Sequence, residues 1–312
     1  MSSNAHVPVL LGPVLQGLRI NKDGVYVDAT FGRGGHSSAI LGQLSEAGRL
    51  IAIDRDPEAI RQAPKSMIDD PRFELIRGQC AQLEKFVSER RLNRKVDGLL
   101  LDLGVSSPQL DEPGRGFSFL RDGPLDMRMD PDEGLSAADW LQQVSESELR
   151  NILKKYGEES HATRIARAVV SIRENSPITR TSELADIVRN AVPAKSRAQK
   201  KHPATKTFQA IRVFLNDELG QLEAVLEQSL RVLKKGGRLC VISFHSLEDR
   251  IVKRFMRDNS RDSEQYRGMP NIPAEFLPAL QLVAKPIVAT DEEIAANVRA
   301  RSARLRIAER TS

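Results

Sequence analysis

The sequence predicts an α/β protein in which a mostly parallel sheet domain is interrupted by an all-helical insertion. Three observations carry this. Short, nearly continuous apolar runs alternate with helix-like stretches in the first third of the chain and again near its end, as strands covered on both faces require. Three of those runs lead directly into an acid. Between the two alternating regions the apolar period becomes helical.

The elements follow in order. Val25-Tyr26-Val27-Asp28 is the first strand, and a glycine-rich turn at 31–36 and a helix over 37–44 follow it. Residues 49–53 form the second strand, followed by Asp54-Arg55-Asp56-Pro57 and a helix from Glu58. A third strand is expected at 73–76 and a third helix at 83–91. The fourth strand, 98–101, ends at Asp102. Residues 104–131 are rich in turn formers and read as an ordered functional loop. Ser136 and Ser145 each precede an acid by three residues, as an N-cap does. Leu149, Ile152, Leu153 and Tyr156 recur at helical spacing, as do Ile165, Ala168, Val169 and Ile172. Thr181 can cap a further helix to about 191. A long amphipathic helix over 208–233 is expected, stopped by Lys234-Lys235-Gly236-Gly237. A fifth strand at 238–244, a helix capped by Ser246, and late strands at 282–284 and 305–308 complete the reading. The expected domains are 1–113 with 206–312 for the sheet, and 114–205 for a helical, partly basic, substrate-recognition insertion.

Composition narrows the function classes. The 312 residues carry 47 Lys+Arg against 42 Asp+Glu, a net charge of +5. Two cysteines, Cys80 and Cys240, lie far apart in sequence, which excludes a disulfide scaffold and a cysteine zinc site. No apolar run approaches the roughly 18 residues that span a bilayer. A cytoplasmic protein without a membrane partner is expected. The charge is unevenly spread: residues 187–216 hold no acid but seven basic residues, Arg189, Lys195, Arg197, Lys200, Lys201, Lys206 and Arg212. A one-signed stretch of this kind can neutralise phosphates, and Lys195, Arg197, Lys200, Lys201 and Lys206 are the candidate RNA contacts. A solvated basic loop is the competing explanation. Arg299, Arg301, Arg304 and Arg306 form a second, weaker cluster.

In an open parallel sheet, ligands bind beyond the carboxyl ends of the strands. Glycines 32, 34 and 35 allow a tight turn there, and the next helix offers its first amides to an anionic group. Asp54 lies 20 residues past Gly34, at the end of the next strand, where a carboxylate can accept both ribose hydroxyls of a nucleoside. A nicotinamide fingerprint wants a third glycine where Ser37 stands, and the turn suits the amino-acid end of S-adenosylmethionine equally well. The glycines leave that choice open.

The fourth strand feeds Asp102-Leu-Gly-Val-Ser-Ser-Pro-Gln109. An exocyclic amine on a base is a poor nucleophile, because its lone pair is delocalised into the ring. A loop of carboxylate and carbonyl acceptors can hold its N–H groups while position supplies most of the catalysis. Asp102, Ser106, Ser107 and Pro108 are the catalytic candidates, with Gln109 beside them. Helix capping competes as a role for Asp102, and turn stabilisation for the serines. His245 reads as structural, and His36 as a helix opener whose backbone amide matters more than its ring. Cys80 follows the third strand, where it can line an adenine pocket; Cys240 belongs in the core. Trp140, Phe117 and Phe119 read first as packing, with contact to a flipped base open for the two phenylalanines. No grouping has metal-ligand spacing.

These segments resemble a known family. Asp28-Ala-Thr-Phe-Gly-Arg-Gly-Gly-His36, Ala52-Ile-Asp-Arg-Asp-Pro57, Leu101-Asp-Leu-Gly-Val-Ser-Ser-Pro-Gln109 and Arg115-Gly-Phe-Ser-Phe119 are similar to the bacterial RsmH (MraW) family. So are Asp122-Gly-Pro-Leu-Asp-Met-Arg-Met-Asp130, Lys201-His-Pro-Ala-Thr205 and Ser243-Phe-His-Ser-Leu-Glu-Asp-Arg250, and the likeness covers essentially the whole chain. The resemblance implies a Rossmann-like S-adenosylmethionine-dependent methyltransferase domain with an inserted helical domain. It implies methyl transfer to the N4 amine of a cytidine, cytosine 1402 of 16S rRNA, within the small ribosomal subunit. Carried over by motif, Gly34, Gly35 and His36 contact the methionine end of the cofactor, Asp54 takes the ribose, Cys80 borders the adenine, and Asp102 and Gln109 complete the pocket. The family commonly has an aromatic residue where this chain has Cys80. The alternatives are DNA amino-methylation, a non-catalytic RNA-binding ribosome assembly factor, and a nicotinamide dehydrogenase.

Charge reversal at Lys200 and Lys201 together is expected to weaken RNA binding and to flatten its dependence on salt, with cofactor affinity unchanged. Filter binding across a salt series checks this; an unaltered slope contradicts it.

Overall fold

The computed structural model describes residues 8–197, 202–262, 266, 273 and 276–311. Its sheet contains β1 (Val25–Asp28), β2 (Arg49–Asp54), β3 (Phe73–Arg77), β4 (Val96–Asp102), β5 (Leu233–Ser243), β6 (Leu280–Leu282), β7 (Ile287–Val288) and β8 (Arg304–Arg310). The order is β3-β2-β1-β4-β5-β8-β6, with β7 also paired to β8. The first five strands in that order are parallel, and β8 runs antiparallel to β5, β6 and β7. The chain leaves β1 toward β2 and β3 on one side, and β4 continues toward β5 on the other. The carboxyl ends of β1 and β4 therefore flank the point where strand order reverses, the place where a crevice opens in such sheets.

Alternate residues of each strand enter two cores. Val27, Ile51, Leu99 and Val241 face one side with Leu83, Val225, Leu226 and Val252. Tyr26, Leu50, Leu100 and Cys240 face the other with Val14, Leu18, Ile40 and Leu305. With both faces dry, every position favours an apolar side chain, which explains the continuous runs in the sequence.

The chain divides into two compact units, Met1–Gly104 with Leu219–Ser312, and Val105–Glu218. The second is wider than the 114–205 segment expected from the change in period. Phe208, Ala210 and Ile211 are buried in its core beside Leu141, Leu153, Ile165 and Leu184, so the segment after residue 205 packs with the helices. Ser136 and Ser145 accept the amides of Asp139 and Glu148 and start the helices Ala137–Gln143 and Glu146–Gly157. No helix among the described residues is long and apolar enough to cross a membrane.

Several boundaries differ from expectation. The helix expected over 208–233 is two helices, Thr205–Leu215 and Glu218–Val232. Between them Asp217 takes a left-handed φ of 47°, a break that no glycine or proline announces. Lys234-Lys235-Gly236-Gly237 lies inside β5 rather than after a helix, because Leu233 already pairs with Val96; the register then shifts, and pairing resumes at Gly98 and Arg238. The helix beginning at Ser246 is capped by His245 instead: the Glu248 amide donates to His245 Nδ1, and Glu248 accepts from the Phe244 and His245 amides. The loop expected over 104–131 contains the helix Ser107–Asp111 and a single tight turn at Pro113–Arg115. Strand β6 ends at Leu282, where 282–284 was expected, and β8 extends past 305–308 at both ends.

Asn216 fastens the helical unit. It is 2% exposed. Its Nδ2 donates to the Met127 and Arg212 carbonyls at 2.8 and 2.9 Å, and its Oδ1 accepts from the Met129 amide at 2.7 Å. Asn216→Ala leaves the Met127 carbonyl and the Met129 amide without the side chain that satisfies them and is expected to cost about 2–4 kcal/mol. Chemical denaturation checks this, and a loss below about 1 kcal/mol contradicts it.

Candidate cofactor site

Asp28 ends β1 and is 1% exposed. Its carboxylate accepts from the Ser37 hydroxyl at 2.7 Å and from the Thr30 amide at 3.1 Å. Burial pushes its pKa up, against the pull of the Ser37 hydrogen bond and the His36 charge. Ser37 occupies the position where a dinucleotide fingerprint has glycine, so its hydroxyl ties the helix Gly35–Leu41 to the tip of β1. Thr30 extends the same tie to the next strand: its Oγ1 accepts from the Asp102 amide at 2.6 Å.

Asp54 ends β2. Its Oδ2 accepts from the Gly32 amide at 2.7 Å and its Oδ1 from the Asp56 amide at 2.9 Å. Burial pushes this carboxyl up to about 6, although both amides favour the ionised form. Each oxygen keeps a further lone pair for a hydroxyl donor. Cys80 opens the tight turn Cys80–Gln82 after β3, half-buried. Burial pushes its thiol up to about 11, and the Asp54 charge adds to that rise. Cys80 is thus a neutral, apolar wall in the neighbourhood of Asp54.

The glycines have reasons within the protein. Gly34 takes φ 73°, and a Cβ there would lie 2.7 Å from the Phe31 ring. A Cβ on Gly35 would lie 2.5 Å from Pro8. Substitution at either forces the turn apart. His36 is buried, its Nε2 3.0 Å from the Val9 carbonyl and its Nδ1 3.5 Å from Asp102 Oδ2. The other Asp102 oxygen, Oδ1, is buried and accepts no hydrogen bond.

Gly34, Gly35, His36, Asp54, Cys80 and Asp102 therefore belong to one unit and one end of its sheet. Ser106, Ser107, Pro108 and Gln109 fall in the helical unit. There the Ser106 amide donates to Gln109 Oε1 at 2.9 Å, the reciprocal half of a capping box at the helix Ser107–Asp111. Lys195 is exposed, and Lys206 Nζ donates to the Glu158 carbonyl at 2.9 Å. Lys200 and Lys201 lie outside the described residues, as does the Arg197 side chain. Phe119 packs on Phe208 and His202, Arg115 lies over the Phe117 ring, and Trp140 packs on Phe214. Sequence reasoning missed Thr30, Ser37 and the His36 ring. The available signal was the run of hydroxyl and imidazole groups following a strand that ends in an acid.

A parallel sheet with a reversal between β1 and β4, and an acid at the tips of β1, β2 and β4, defines the Rossmann-like fold of S-adenosylmethionine-dependent methyltransferases. The chain belongs to the MraW methylase family, whose model matches residues 3–311. Among solved structures it is similar to a proposed rRNA methylase from Clostridium thermocellum, at 12% identity and a TM-score of 0.45, covering 98% of each chain. It is also similar to an rRNA methylase from Streptococcus thermophilus, at 12% identity and 0.42, covering 99% of this chain and 100% of the other. NSun6 from Pyrococcus horikoshii aligns at 14% identity and 0.43, over 98% of this chain and 53% of its own. Family membership rests on the whole-chain match and not on these likenesses.

S-adenosylmethionine is the cofactor of this class, and the sheet unit's residues fit it. The unpartnered Asp102 Oδ1 is an open acceptor for a cationic or N–H group, and Asp54 offers lone pairs to hydroxyls.

The folded chain holds the Asp54 proton more tightly than the unfolded chain, whose ordinary value is 3.8. The contribution to stability is full below that value and is lost as pH rises to about 6. A carbon-13 titration of the Asp54 carboxyl in cofactor-free protein is expected to show a midpoint near 6; one near 4 contradicts it.

Proposed function

We propose that the chain methylates the exocyclic N4 amine of a cytidine, cytosine 1402 of 16S rRNA, within the small ribosomal subunit and in the cytoplasm. Membership of the MraW methylase family over essentially the whole chain supports this. The observation that carries it is the buried, unpartnered acceptor at the tip of β4, Asp102 Oδ1. Transfer of an activated sulfonium methyl to an amine needs the cofactor held in line and no metal-activated water.

Bound S-adenosylmethionine supplies a methyl group already activated by its sulfonium. Gly34, Gly35 and His36 hold the methionine end, Asp54 the ribose hydroxyls, and Cys80 borders the adenine. Asp102 holds a donor group of the cofactor through Oδ1, and its fixed carboxylate favours the positive charge that passes to the amine. Gln109 serves the cofactor, and the Ser106-Ser107-Pro108 turn serves the transfer itself. The helical insertion recognises rRNA, with Lys195, Arg197, Lys200, Lys201 and the adjoining Lys206 on its phosphates.

Protein incubated with labelled S-adenosylmethionine and small subunits lacking the modification is expected to methylate one cytidine, with duplex DNA left unlabelled. Asp102→Ala is expected to lower transfer by about 10²-fold or more while the thermal melt stays cooperative. Unlabelled subunits, or equal labelling of DNA, contradict the proposal.

A further inference from the structure

We propose that His36 is a positioning residue that works as an imidazolium, clamped between the Val9 carbonyl and the Asp102 carboxylate, and that it fixes the orientation in which Asp102 presents its free oxygen to the cofactor. The inference deepens the assignment of this sheet edge to S-adenosylmethionine and rests on that assignment.

The geometry leaves the ring little choice. A carbonyl oxygen can only accept, so Nε2, 3.0 Å from Val9 O, carries a hydrogen. A neutral imidazole has a single N–H, and with that hydrogen on Nε2 the ring would turn a lone pair toward Asp102 Oδ2, 3.5 Å from Nδ1. Two acceptors at opposite ends of one buried ring are both satisfied only when both nitrogens are protonated. The surrounding charges favour the same state. Asp102 faces the ring from β4 and Asp28 from β1, while the N-terminal segment contributes the Val9 carbonyl. Burial works against the cation, but the Asp102 carboxylate 3.5 Å away, then Asp28 and Val9, outweigh it and raise His36 above the ordinary histidine value.

The clamp is itself held. Leu10 takes a left-handed φ of 54°, and its amide donates to Glu293 Oε1 at 2.5 Å, which fixes the segment that carries the Val9 carbonyl. Pro8 sits where a Cβ of residue 35 would be, so glycine at that position lets the segment close on the helix that bears His36. Asp102 is fixed from its other side by the bond from its amide to Thr30 Oγ1. With backbone and Oδ2 both held, only Oδ1 is left to meet a ligand. Loss of the Nδ1 proton to solvent replaces an attraction with a lone-pair repulsion and turns the carboxylate away. Cofactor affinity should therefore fall on the alkaline side as His36 titrates. Asp54 acts on the acid side, so the two groups are separable.

Two measurements test this. The first is a nitrogen-15 spectrum of the histidine rings in labelled, cofactor-free wild-type protein at pH 7, which needs no variant. Both His36 nitrogens are expected to be protonated; a neutral ring overturns the clamp. The second is calorimetry with S-adenosylmethionine from pH 6.5 to 9.5, on wild type, His36→Gln and Asp102→Asn. Wild-type affinity is expected to decline through the His36 titration. His36→Gln should bind about tenfold more weakly at pH 7 with that decline absent, as loss of one buried ion pair requires. A His36→Gln profile that keeps the wild-type decline overturns the proposal. Asp102→Asn separates the two levels of the inference. If it binds the cofactor like wild type, the assignment of the site fails and the clamp with it. If it loses affinity while the wild-type His36 ring proves neutral, the site stands and the clamp alone fails.

Discussion

The buried carboxylate of Asp28 is the constraint on which the site depends. A carboxylate taken out of water costs several kcal/mol unless hydrogen bonds replace its hydration. Here Ser37 Oγ and the Thr30 amide replace it, and each lies on a segment that must approach the tip of β1 to do so. Ser37 brings the helix that follows the glycine turn. Thr30 brings the backbone of Asp102, and with it the tip of β4. One buried carboxyl thus ties together the glycine turn and both strand ends at the reversal point, and Asp54 closes the turn from β2 through the Gly32 amide.

This arrangement concentrates negative charge where the fold opens. Asp28, Asp54 and Asp102 end three adjacent parallel strands, and burial holds the first two carboxyls above their ordinary range. Such a site suits a cationic ligand with hydroxyl donors better than a pyrophosphate, which would meet like charge. That favours the sulfonium cofactor over a nicotinamide dinucleotide, a choice the glycines alone leave open.

Much of the sheet was legible because its physics is local. Strands buried on both faces need unbroken apolar runs, and the acids that end them stood out at 28, 54 and 102. The caps at Ser136 and Ser145 were legible for the same reason. Features set by distant partners were not. The helix break at Asn216 depends on a buried amide reaching Met127 and Met129, which no neighbour in sequence signals. The basic stretch, by contrast, is neutralised at its edges by sequence neighbours, since Arg189 pairs with Asp186 and Arg212 with Glu218. Lys234–Gly237 has the composition of a helix stop, yet pairing of Leu233 with Val96 draws it into a strand. The His36 ring was passed over because its two acceptors, Val9 and Asp102, lie 27 residues before it and on a separate strand.

The most direct measurement is a crystal structure of the chain soaked with S-adenosylmethionine. Density is expected at the carboxyl ends of β1, β2 and β4, with the ribose on Asp54 and a donor group of the ligand on Asp102 Oδ1. Density elsewhere on the molecule, with both of those carboxylates untouched, would contradict the account.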